Sequence, residues 1–138
     1  MVHRLSFRHL TQFDPGQPGI TVPVKLQVVG KEVMCEAKLD TGATYCIFAR
    51  SIGEQLGLVI EAGLNQRIET VTGSFLTFGH TITLSIFDIL IDATIYFADD
   101  ENFSRNVLGR FGWFDRLRVG LIDYDGELYF SQYHDPIE

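Results

Sequence analysis

Ala37-Lys38-Leu39-Asp40-Thr41-Gly42-Ala43-Thr44 carries one carboxylate off the end of an apolar strand into a tight loop that contains glycine. Upstream, Ile20, Val22, Val24, Leu26 and Val28 alternate with Thr21, Pro23, Lys25 and Gln27, the period-two pattern of a half-buried strand. Pro23 has no N–H to give to a ladder, so an edge or bulge is expected there. Gly30-Lys31 reads as a hairpin turn, because glycine tolerates the positive φ that such turns need. The returning strand puts Val33, Cys35, Ala37 and Leu39 on one face and Glu32, Met34, Glu36 and Lys38 on the other. Asp40 is thus expected where a half-buried strand ends.

Downstream, Ala49 to Leu58 places Ile52 and Leu56 four residues apart, which predicts a short helix ending at Gly57. Residues 65–78 read as a polar hairpin turning near Thr72-Gly73-Ser74. Two alternating runs follow, through Leu76, Phe78, Ile82, Leu84 and Ile86 and through Ile89, Ile91, Ala93, Ile95 and Phe97. Asp99-Asp100-Glu101-Asn102 reads as a solvated acidic loop. Val107-Leu108-Gly109-Arg110 comes next, then a helical turn over Phe111 to Leu117, and a final hairpin across Asp125-Gly126. Many short strands with little helix predict an all-β fold, one lobe closed or sandwiched, with one or two short helices.

Composition narrows the class. A chain of 138 residues, 46% apolar and 21% charged, is expected to form a single globular domain over 1–138, with its core at about 20–130. A net charge of −7 argues against a nucleic-acid partner, which requires a basic face. The stretch Ile82 to Ala98 is interrupted by Thr83, Ser85, Asp88, Asp92 and Thr94, so no membrane partner is expected. Met1 to Asp14 lacks the apolar core of a secretory signal. Cys35 and Cys46 therefore read as reduced thiols, and the expected location is the cytoplasm. The four histidines show no ligand spacing, and neither a metal nor a cofactor is expected.

Asp-Thr-Gly by itself arises by chance in roughly a few per cent of chains this long. Its setting is more specific. An apolar strand precedes it, Ala43-Thr44 follows it, and some seventy residues later stands Val107-Leu108-Gly109-Arg110, with a glycine-bearing hairpin in between. In this order and spacing the chain resembles the retropepsin-like aspartic proteases, the single-lobe relatives of retroviral protease and of its cellular counterparts. The resemblance spans about residues 20 to 130 and implies an acid-protease-like β-barrel with one lobe per chain.

By that resemblance, Asp40, Thr41 and Gly42 form the catalytic loop, the Thr41 hydroxyl crossing to the partner loop and Gly42 offering its N–H. Ala43, Thr44, Thr72, Gly73, Ser74 and Leu108 would contact a bound peptide, the hairpin acting as a flap. Gly109 and Arg110 would brace the dimer framework. The implied reaction is peptide hydrolysis by water held between two Asp40 carboxylates of a homodimer. Close carboxylates share a proton, so one can act as base while the other acts as acid. A bell-shaped pH dependence with an acidic optimum follows. The termini, with Leu5 and Phe7 alternating at one end and Glu127 to Tyr133 at the other, would lie at the dimer interface.

The chain departs from the retroviral pattern where acidic residues follow Asp-Thr-Gly-Ala; here Thr44 and Tyr45 stand instead. Arg110 must then find another carboxylate, Asp115 or one from the second subunit. Phe111, Trp113 and Phe114 read as core before groove. Two other functions stay open on sequence alone: an inactive peptide-binding or dimerisation module of the same fold, and a small-ligand barrel in which Asp-Thr-Gly is accidental.

Overall fold

Alternation in β2 (Thr21–Val28) buries Val22, Val24 and Leu26, and β3 (Lys31–Leu39) returns antiparallel from Val28↔Lys31 to Thr21↔Lys38. Gly30, at φ +78°, makes the turn between them. The computed structural model describes residues 1–138. Its remaining strands are β1 (His9–Gln12), β4 (Ile47–Phe48), β5 (Leu64–Thr70), β6 (Gly73–Ile86), β7 (Ile89–Ala98), β8 (Val107–Leu108), β9 (Leu117–Ile122) and β10 (Glu127–Gln132). One α-helix, α1 (Arg50–Gln55), and two 3-10 turns at Ile60–Ala62 and Phe114–Arg116 complete it. No helix is long and apolar enough to cross a membrane.

Seven strands form one sheet in the order β2-β3-β8-β4-β7-β6-β5. The sheet curls until β2 meets β6, but only over Lys25↔Ser85, Leu26↔Leu84 and Gln27↔Thr83. The expected closed barrel is therefore incompletely closed. The reason lies in β2 itself: beyond Lys25 its outer edge is free, and Pro23, with no N–H to donate, sits on that free stretch.

Inside the curl, Leu84, Ile95, Phe97 and Phe48 are fully buried, together with Leu108 and Leu26. The helix expected over 49–58 forms at Arg50–Gln55, and Gly57 turns the chain out of it at φ +78°. Gly53 is the inward face of that helix. A Cβ there would lie 2.5 Å from Ile60 Cδ1 and 2.9 Å from the Phe97 ring. Arg50 ties the helix to its surroundings: its Nη2 donates to both Glu61 carboxylate oxygens, at 2.6 and 2.8 Å, and its Nη1 lies 3.6 Å from Asp99 Oδ1.

A second sheet holds both chain ends in the order β1-β10-β9. Trp113 joins the two sheets, fully buried and edge-on to Phe114 (4.8 Å, 89°) and to Phe130 of β10 (5.7 Å, 82°). It thus belongs to the core, as its aromatic spacing predicts, and Phe114 is partly buried against it, whereas Phe111, read the same way, is half exposed. His9 fastens β1 to the β6–β7 turn, with Nε2 2.8 Å from Asp88 Oδ1 and its ring stacked on Phe87 at 5.0 Å. Within one chain the terminal segments pair with each other. β10 has β1 on one edge and β9 on the other, all within one chain, so its hydrogen-bonding groups are already used. Leu5 and Phe7 lie outside any strand, and Phe7 covers Gly120 of the chain's own hairpin.

Candidate active site

Asp40 follows the last residue of β3, and the parallel pairing of β3 with β8 (Lys38↔Val107, Leu39↔Leu108) fixes its position. Its backbone N–H donates to the Leu108 carbonyl at 3.0 Å. Its carboxylate then turns back on the loop: Oδ1 accepts the Gly42 N–H at 2.9 Å, and the Asp40 carbonyl accepts the Ala43 N–H at 3.1 Å. A single N–H bond leaves a carboxylate with most of its lone pairs free. Asp40 is only partly buried, so the other oxygen is available to a ligand or to a second carboxylate. Thr41 is exposed, and its hydroxyl has no hydrogen bond within the chain.

The segment after β8 threads under this loop. Arg110 N–H donates to the Ala43 carbonyl and Phe111 N–H to the Thr44 carbonyl, both at 2.8 Å. Gly109 lies where they cross. A Cβ on it would fall 2.2 Å from the Tyr45 carbonyl oxygen and 2.8 Å from that of Ala43, so only glycine can occupy the crossing. Cys46 completes the junction, its Sγ accepting the Gly109 N–H at 3.4 Å. Burial pushes the Cys46 thiol up to about 11. It is a small buried side chain that braces the loop, poorly suited to act as a nucleophile.

Asp40 opens into a cleft of about 440 Å³. Gly42, Ala43 and Thr44 line it from the loop, and Tyr45 and Ile47 continue that wall. The β5–β6 hairpin forms the far side through Arg67, Ile68, Glu69, Thr70 and Phe75. Phe103, Arg105 and Val107 close one end, with Phe103 stacked on Phe75 at 5.1 Å and 26°.

Several predicted site residues stand elsewhere. Thr72, Gly73 and Ser74 form the exposed tip of the hairpin, outside the cleft wall, with the turn itself at Val71-Thr72. Leu108 does not face the cleft. Its side chain is fully buried in the core, and it serves Asp40 through its carbonyl, while neighbouring Val107 lines the wall. Arg110 does not pair with Asp115. The Asp115 carboxylate accepts the Gly112 N–H at 3.0 Å and lies 3.7 Å from Arg116 Nε, whereas the exposed Arg110 guanidinium sits 5.8 Å from the Phe111 ring centroid. In the acidic loop, Asp99 faces Arg50 and Asp100 Oδ1 accepts the Asn102 N–H at 2.8 Å. The cleft residues missed from the sequence, Phe103 and Arg105 above all, sit on an irregular loop with no periodicity to reveal which way it folds. Ile68 and Phe75 lie on the hairpin expected over residues 65–78.

The geometry is thus an aspartate in a glycine loop, braced from below by a glycine crossing and faced by a β-hairpin, in a one-lobe curled sheet. The match to a family model makes the assignment specific: the aspartyl protease model aligns with residues 22–111, more than half of the chain, and the chain belongs to that family. Among solved structures, the chain is similar to a retropepsin-like aspartic protease from Rickettsia conorii, with a TM-score of 0.59 and 16% identity over 80% of this chain and 89% of that one. It is also similar to the EIAV protease complexed with the inhibitor HBY-793, with a TM-score of 0.55 and 21% identity over 69% of this chain and 85% of that one. At such identities the likeness establishes the retropepsin-like fold. Comparison with curated proteins gave no match.

Proposed function

We propose that this chain is an aspartic endopeptidase that works as a homodimer, with Asp40 and its symmetry mate forming one catalytic pair. The observation that carries the reading is Asp40 itself: a partly exposed carboxylate, held by one N–H, at the mouth of a cleft roofed by a hairpin. One carboxylate cannot be both base and acid in the same step. Two related by a twofold axis share a proton, so the ionised one takes a proton from water while the protonated one donates to the scissile carbonyl oxygen. The hydroxyl of Thr41, unpartnered within the chain, is then free to bond the opposite loop.

The substrate is a peptide in extended form. The cleft runs beneath a hairpin whose β5 edge pairs only with β6, so main-chain hydrogen bonding to an added strand supplies sequence-independent affinity. Side chains at alternate positions then set specificity. Asp40→Asn tests the proposal: peptide hydrolysis should fall about a thousandfold or more while the fold is kept. A variant as active as the parent protein would refute it.

A further inference from the structure

Several cationic groups outside the cleft are already engaged. Arg8, Arg50 and Arg116 have carboxylate partners, and Arg118 donates to main-chain carbonyls. Two arginines line the cleft beside Asp40, and they differ. Arg67 shares its strand face with Glu69, which also lines the cleft, and its Nη1 is held by a hydrogen bond to Ser74 Oγ at 3.3 Å. Arg105 is exposed, lines the cleft, and has no carboxylate within 4.0 Å and no hydrogen-bond partner. The acids of the preceding loop do not serve it: Glu101 makes no ion pair, Asp99 is turned to Arg50 and Asp100 to the Asn102 N–H. Val107, two residues on, pairs with Lys38, and Asn106 Nδ2 donates to the Glu36 carbonyl at 3.2 Å, so Arg105 enters the same cleft from the end away from Asp40. Phe103 and Phe75 place an apolar wall in the same cleft.

We propose that Arg105 is a specificity-determining residue that selects substrates carrying a carboxylate side chain, glutamate or aspartate, at a subsite removed from the scissile bond. The inference rests on the endopeptidase reading of the same cleft. A free guanidinium bonds a carboxylate through paired N–H donors, and the methylenes of a glutamate can lie along the aromatic wall. In a chain of net charge −7, an acidic substrate is repelled by most of the surface, so an unanswered cation in the cleft gives a local preference that the rest of the molecule does not.

The test uses octapeptides that differ only in glutamate against glutamine, scanned through each position, with the purified full chain. At one position the glutamate peptide should show a kcat/KM about five- to tenfold higher. That preference should shrink with salt and vanish below about pH 4, where the peptide carboxyl is protonated. Arg105→Gln should erase it, and Arg105→Glu should transfer it to lysine peptides. Asp40-dependent cleavage with no difference between glutamate and glutamine at any position, or a preference that survives Arg105→Gln, overturns this inference and leaves the endopeptidase standing. If no cleavage depends on Asp40, the endopeptidase reading is what fails. Binding of the same labelled peptides to Asp40→Asn, by fluorescence anisotropy, then decides recognition alone: a glutamate preference abolished by Arg105→Gln supports it, and equal or absent binding overturns it.

Discussion

Gly109 shows how far a single hydrogen atom can govern the site. Any Cβ at that residue would overlap the Tyr45 carbonyl, and backbone on both sides leaves nowhere to move. Gly109→Ala should cost about 3 kcal/mol or more, seen as a lowered urea midpoint, and should displace the Asp40 loop with it. Asp40→Asn behaves oppositely, losing activity at unchanged stability. Cys46 gives a residue-scale signature in pH. Its thiol stays neutral in the fold up to about 11, against an ordinary value of 9.0, so from pH 9 upward the unfolded chain loses a proton that the native chain keeps. Stability therefore falls as pH rises from about 9 to about 11, by up to roughly 2–3 kcal/mol. Denaturant midpoints measured across that range should drop, and Cys46→Ala should remove about half of the drop, because burial raises the Cys35 thiol to about 11 as well.

At the scale of elements, α1 sets propensity against packing. Alanine favours a helix over glycine by about 1 kcal/mol. At Gly53, however, the added methyl would press into Ile60 and the Phe97 ring, and overpacking of a core costs about 1–3 kcal/mol. Gly53→Ala should therefore destabilise the protein despite the better helix former, as read by thermal unfolding. Much at this scale was legible in the sequence, because period-two alternation and the face it buries are one and the same fact. β2, β6 and β7 bury most of the residues their alternation named, β3 buries Ala37 and half-buries Val33, Cys35 and Leu39, and Gly30 and Gly57 turn where glycine was needed. β1 was not legible. His-Leu-Thr-Gln has no apolar rhythm, and its strand character comes from pairing with β10 across the length of the chain. The cleft was half legible: the loop announces itself by motif, but Phe103 and Arg105 enter it through the path of an irregular segment. Leu108 was misread because its role is played by a carbonyl, which no side-chain pattern reports.

Over the whole molecule, the terminal sheet constrains assembly. With β10 enclosed by β1 and β9, a partner in the proposed dimer cannot add a strand beside β10, which leaves it the outer edges of β1 and β9 and surfaces such as the Asp40 loop. Arg110, free of Asp115 and exposed, and Thr41, free of any intrachain bond, both lie in segments that cross at that loop. Activity that requires two chains should also depend on concentration, falling on dilution below the dimer dissociation constant while the fold of each chain persists.

The central claim is that one active site needs an Asp40 from each of two chains, and subunit mixing tests it most directly. Parent protein and Asp40→Asn, dissociated and re-equilibrated in equal amounts, should show about a quarter of the activity of the same total amount of parent protein, because only dimers of two parent chains are competent. An activity of about one half would mean that each chain works alone with a single Asp40, and would contradict the shared dyad.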